Sequence, residues 1–157
     1  MIKKINIILI FLFSLLLISC GYKKIVQKKT SINIQSINVT GENRIAYNLK
    51  NDIGLITNEN SENRFRINLK ITKKIDNKIK DATGKITRFN LTINGDLILI
   101  NVKTLEETNK SFSKNQDYDV AENHSDTIKN EKQATKNVTR QLSEEVINFI
   151  MLIDKNK

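Results

Sequence analysis

The sequence has no proline and no tryptophan, one cysteine, one histidine and five glycines in 157 residues. One cysteine excludes an internal disulfide and any cysteine-based metal site. One histidine, His124, excludes the usual histidine cluster around zinc. No phosphate-cradling loop, no nucleophile elbow and no paired cysteines occur, so the chain carries no enzyme motif, and neither cofactor nor metal is expected. Asp117 and Asp119, Glu106-Glu107 and Glu144-Glu145 read as solvated acids on a strand, in a turn and on a helix. His124 reads as a solvated residue at a strand-to-helix junction.

Basic residues are in excess, 26 against 17 acids, a formal +9. The excess assigns no partner by itself. Abundant Asn, Lys and Ile without proline is also what AT-rich coding imposes on a protein. The length suits one domain of ordinary size.

Long apolar runs are missing except at the start, where Ile5 to Ile18 is interrupted only by Asn6 and Ser14. Fourteen residues fall short of the ~20 that span a bilayer as a helix. Lys3 and Lys4 precede the run and small residues follow it, the order of a secretory signal. Leu17-Ile18-Ser19-Cys20 resembles the bacterial lipobox. In that chemistry the Cys20 thiolate takes a diacylglycerol, the chain is cut before it, and the new amino terminus is acylated. Several acyl chains anchor stably where one is marginal. The alternative is an uncleaved anchor with an incidental cysteine. Gly21 follows Cys20 where aspartate would hold such a protein in the inner membrane, so the outer membrane is expected. Residues 1–19 are then a signal peptide, 20–30 a lysine-rich tether, and 31–157 a single domain. The mature charge is (26 − 2) − 17 = +7. Tethering at the periplasmic face of the outer membrane removes nucleic acid as a main partner.

Within the domain, Ser31 to Val39 predicts a strand whose alternation slips near Gln35-Ser36, as a bulge would make it. Thr40 is the expected cap of a helix carrying Ile45, Leu49, Ile53 and Ile56. Arg64 to Ile71 alternates cleanly. Residues 76–84 predict a turn, and Ile86 to Val102 a long strand with a bulge or bend at Gly95. Residues 104–109 predict another turn, and Ser111 to Val120 a weaker strand. From about Ser125 to Leu152, Ala134, Val138, Leu142, Val146 and Ile150 recur every fourth residue, a long amphipathic helix. The order β-α-β-β-β-α predicts an α+β two-layer sandwich: a four-stranded, mainly antiparallel sheet with two helices on one face. The other sheet face carries Arg64, Arg66 and Lys70 on one strand and Arg88, Asn90, Thr92 and Asn94 on the next. Arginine's planar fork suits phosphates and carboxylates. The competing reading is a plain solvated face.

Over nearly its whole length the chain resembles the LptE family, lipopolysaccharide-assembly lipoproteins of the Gram-negative outer membrane. The resemblance is carried by Cys20-Gly21-Tyr22-Lys23, by the element order, and by Arg88-Phe89-Asn90-Leu91 opening a long strand. Ser111-Phe112 through Asp117-Tyr118-Asp119-Val120-Ala121, leading to Ala134 and Arg140-Gln141-Leu142, completes it. The resemblance implies a protein without turnover that plugs the LptD barrel and helps it insert lipopolysaccharide into the outer leaflet. Cys20 would hold the membrane, and Arg64, Arg66, Lys70 and Arg88 would be contacts to lipopolysaccharide or barrel. A free lipid-tethered binding or envelope-stability module remains the alternative.

Overall fold

A computed structural model describes residues 31–155. Cys20, the signal peptide and the tether lie outside the described residues. Six elements follow in the expected order: β1 (Ile32–Thr40), α1 (Asn43–Gly54), β2 (Asn63–Lys80), β3 (Ile86–Asn101), β4 (Glu107–Asp119) and α2 (His124–Lys155). The sheet is ordered β1-β2-β3-β4. β1 runs parallel to β2, and the other two pairs are antiparallel. The fold is α+β, with one four-stranded sheet and two helices.

Alternation explains the sheet. Phe65, Ile67, Leu69 and Ile71 of β2 are buried, as are Leu91, Ile93, Leu97 and Leu99 of β3. The register places Ile67 opposite Leu99 and Leu69 opposite Leu97, so one apolar face is continuous across the strands. In β1 the register shifts between Ile34 and Ser36. The extra residue, Gln35, lets Ile32 and Ile34, and then Ile37 and Val39, all face the core.

Both helices close over that face. α1 contributes Ile45, Ala46, Leu49 and Ile53. α2 contributes Ala134, Val138, Leu142, Val146 and Ile150, one per turn and essentially inaccessible to solvent. All but Ala46 join a single cluster with the sheet residues.

Several boundaries differ from the sequence reading. Thr40 caps nothing. It remains in β1, and Glu42 stands at the N-cap of α1 without a side-chain bond. Ile56 lies beyond the helix end at Gly54 and packs on the core from the following turn. Residues 76–80 are strand rather than turn. The true turn is tighter, with Asp81 Oδ1 accepting from Thr83 N at 2.8 Å and Lys85 N at 3.0 Å. β4 begins at Glu107, because buried Asn101 closes the preceding turn early. Its Oδ1 accepts from Lys103 N at 2.9 Å and Thr104 N at 3.0 Å. Gly95 sits in unbroken register. A Cβ there would meet Ile71 Cδ1 at 3.3 Å and Leu142 Cδ2 at 3.6 Å. That glycine marks a close approach of the α2 side chains to the sheet, not a bend.

Candidate functional site

The sheet face away from the helices carries the polar residues of each strand, because successive strand side chains point to opposite sides. On β2 these are Arg64, Arg66, Asn68 and Lys70, all exposed. Among the described residues, no carboxylate lies within ion-pair distance of Arg64, Arg66 or Lys70. Lys70 faces Asp96 across the ladder, but Asp96 Oδ1 accepts from Ser111 Oγ at 2.7 Å instead. Two apolar side chains stand among these cations. Ile100 is opposite Arg66, and Ile98, 37% exposed, is opposite Asn68. This end of the face is therefore cationic and greasy together. The sequence signal was Leu97-Ile98-Leu99-Ile100, a run that cannot bury both of its faces in a two-layer fold.

Arg88 belongs to a different cluster. It stands twelve positions along β3 from Ile100, the partner of Arg66, which is about 40 Å of strand. Its Nε donates to Asp119 Oδ1 at 2.6 Å, and that carboxylate raises the guanidinium's pKa further. Beside it Asp117 accepts from Lys78 Nζ, and from Asn90 Nδ2 at 2.7 Å. The Lys78 bond, then the Asn90 bond, hold the Asp117 carboxyl below the usual carboxylate range. Asp117 and Asp119, two apart on β4, share a face. They are engaged with cations there rather than simply solvated, because Lys78 lies in strand and not in a turn.

The structure thus separates the four basic residues into two groups. Among the described residues Arg64, Arg66 and Lys70 make no ion pair, the two arginines near one end of β2 and Lys70 near its middle, and Arg88 is neutralised within the fold toward the other end. Arg64 and Arg66 lie beside the start of β1. Ser31 N donates to Asp154 Oδ2 at 3.2 Å and Ser31 Oγ donates to the same atom, while Asn63 Nδ2 reaches Asp154 Oδ1 at 3.4 Å. These bonds tie the start of β1 to the end of α2, next to Arg64. The described residues begin at this end, with Ser31.

His124 is exposed at the first position of α2, and Asn123 Oδ1 caps the helix by accepting from Asp126 N at 2.8 Å. Among the described residues, no three His, Cys, Asp or Glu side chains converge as a metal site requires.

No family model matches the sequence, and no curated protein is significantly similar to it. Solved structures are similar in fold. Rare lipoprotein B from Shewanella oneidensis superposes with a TM-score of 0.63 at 9% identity, over 80% of this chain and 96% of that one. An uncharacterized lipoprotein B from Nitrosomonas europaea superposes at 0.53 with 13% identity, covering 80% and 88%. A minor lipoprotein from Acinetobacter baumannii superposes at 0.50 with 9% identity, covering 76% and 94%. At these identities the likeness establishes the shared fold.

Proposed function

We propose that this protein is a lipid-anchored outer-membrane lipoprotein of the LptE type. Its domain plugs the LptD barrel and assists lipopolysaccharide insertion into the outer leaflet. Cys20 carries the anchor, and Arg64, Arg66 and Lys70 meet the phosphates of lipopolysaccharide or the barrel wall.

The observation that carries this reading is the uncompensated cationic face beside Ile98 and Ile100, at the end where the tether enters. Lipopolysaccharide places phosphates on an apolar body, and that mixture matches guanidinium groups beside isoleucines. A polar outer sheet face also suits a polar barrel lumen. The eleven residues of the tether, 20–30, extend at most ~40 Å, which keeps this end close to the membrane. A fold shared with several chains described as lipoproteins supports the same assignment. Function on this account is binding and scaffolding, without turnover.

The test compares purified lipopolysaccharide binding by three forms of the protein. Arg64→Glu with Arg66→Glu should weaken binding at least about tenfold, a change of ~1.4 kcal/mol. Arg88→Gln, whose charge is already neutralised by Asp119, should leave binding within about twofold. Unchanged affinity in the double variant would mean that this face is only solvated.

A further inference from the structure

One end of the domain is where β1, β2 and β4 begin and where β3 and both helices finish. α1 returns the chain there because β1 and β2 are parallel. Val102 N donates to Arg64 O at 2.9 Å, Asn58 N donates to Ile32 O at 2.7 Å, and Ser31 N and Asn63 Nδ2 both donate to Asp154. The connection after α1, the β3–β4 turn and the last turn of α2 therefore lie together at this end. Each carries an exposed leucine: Leu55 at 71%, Leu105 at 68% and Leu152 at 57%. Among the described residues only one other large apolar side chain, Tyr47 of α1, is more than half exposed. The connections at the opposite end, residues 41–42, 81–85 and 120–123, display none.

Leu105 is displayed at the cost of backbone strain. Its φ is +60°, and among the described residues it is the only non-glycine residue with positive φ. A bulky side chain rarely enters that region, and it stays there only where the surrounding structure dictates it. Here Asn101 dictates it. Asn101 Oδ1 accepts from Lys103 N and Thr104 N, Asn101 N donates to Glu106 O at 3.0 Å, and Asn101 O accepts from Leu105 N at 2.9 Å. The turn is closed around one buried asparagine, and its strained position carries a leucine in solvent.

We propose that Leu55, Leu105 and Leu152 seat this end in the bilayer that holds the anchor, as a three-point contact with zwitterionic lipid. The inference rests on lipidation at Cys20, and on neither the barrel nor lipopolysaccharide. The place of the anchor in the chain selects the occupant. The described residues begin at this end with Ser31. Cys20 lies eleven positions earlier, a reach of at most ~40 Å. A tether of that length keeps the domain at an effective concentration of about millimolar beside the lipid, so three side chains of weak individual affinity suffice. Charge points to the lipid type. Residues 55–62 and 102–106 hold three glutamates and one lysine, a balance that draws no anionic surface. Their carboxylates suit the ammonium headgroup of phosphatidylethanolamine. Glycine at position 105 would remove both the strain and the exposed apolar surface, so leucine there serves contact rather than the stability of the free domain.

The test uses the mature lipidated protein in vesicles of phosphatidylethanolamine and phosphatidylcholine. The Cys20 sulfur is taken up by the lipid, so one introduced cysteine carries a fluorescent label. Thr104→Cys places it beside Leu105, and Ala82→Cys places it in the β2–β3 turn at the other end. Iodide in the water should quench the label at position 104 at least about fivefold less than the label at 82, and nitroxides on the lipid chains should quench 104 and not 82. Leu55→Gln, Leu105→Gln and Leu152→Gln together change only exposed side chains and leave the core intact. They should bring iodide quenching at 104 within about twofold of that at 82, while the protein still floats with the vesicles. A protein that does not float refutes the anchor, and this inference with it. One that floats with position 104 as open to iodide as position 82 refutes this inference alone. So does a triple variant that stays shielded. Shielding from iodide without quenching by the lipid nitroxides also overturns it, because protein and not lipid would then cover the leucines.

Discussion

Gly41 is where the first crossover becomes possible, and replacing it with alanine should be among the costliest single changes in the protein. Its φ of +115° lies in a region that side chains rarely enter, which costs ~1–3 kcal/mol for a residue with a Cβ. The added Cβ would also stand 2.0 Å from Ile71 O and 2.9 Å from Ile71 C. That carbonyl belongs to a strand laddered to β3, so it cannot retreat without breaking sheet pairing. Overpacking against rigid surroundings adds ~1–3 kcal/mol. The sum, about 4 kcal/mol, is a large part of the ~5–15 kcal/mol that keeps a domain folded. Gly84 is the control. It also has positive φ, +85°, but nothing lies within 4 Å of its would-be Cβ, so Gly84→Ala should lose only ~1–2 kcal/mol. Urea unfolding followed by circular dichroism measures both, and the m-value should not change. If Gly41→Ala costs no more than Gly84→Ala, the close approach to Ile71 is wrong, and so is the place where β1 leaves the sheet.

Three further outcomes follow from the same geometry. Leu142, fully buried where α2 meets Gly95, should lose ~2–5 kcal/mol on change to alanine, read by the same urea titration. The folded state depresses the Asp117 pKa, so its contribution to stability is present above the ordinary carboxylate pKa and lost as pH falls through the depressed value. Stability should therefore decline below about pH 4, and Asp117→Asn should flatten that acid limb in urea midpoints measured against pH. Cys20→Ser should leave an unprocessed precursor without acyl chains by mass spectrometry, and a variant that still matures with lipid would refute the lipobox reading.

How far the sequence reveals this fold depends on burial. Phe65, Ile67, Leu69 and Ile71 alternate because one face is covered, and the spacing from Ala134 to Ile150 repeats because one helix stripe is covered. Both patterns are visible without coordinates. Residues 76–80 leave no such trace. Ile79 is their one apolar residue, too little for an alternating pattern, and they are held as strand by pairing with β3, a tertiary cause that local pattern does not record. That extension is what brings Lys78 to Asp117. Gly95 shows the opposite difficulty. Glycine inside a strand was legible, but whether it bends the strand or admits a neighbour depends on Leu142, forty-seven residues later. The basic face was legible as a face. That it divides into a free group and a neutralised one required the register, which places Arg66 beside Ile100 and Arg88 beside Asp119.

The most direct test of the proposed role is composition of the native complex. The tagged full-length protein, extracted from outer membranes in mild detergent and purified by its tag, should bring with it one large β-barrel in near-stoichiometric amount. Mass spectrometry should identify that barrel as LptD. Recovery of the protein only as a free lipidated monomer, with no barrel at any detergent concentration that preserves its fold, would contradict the account.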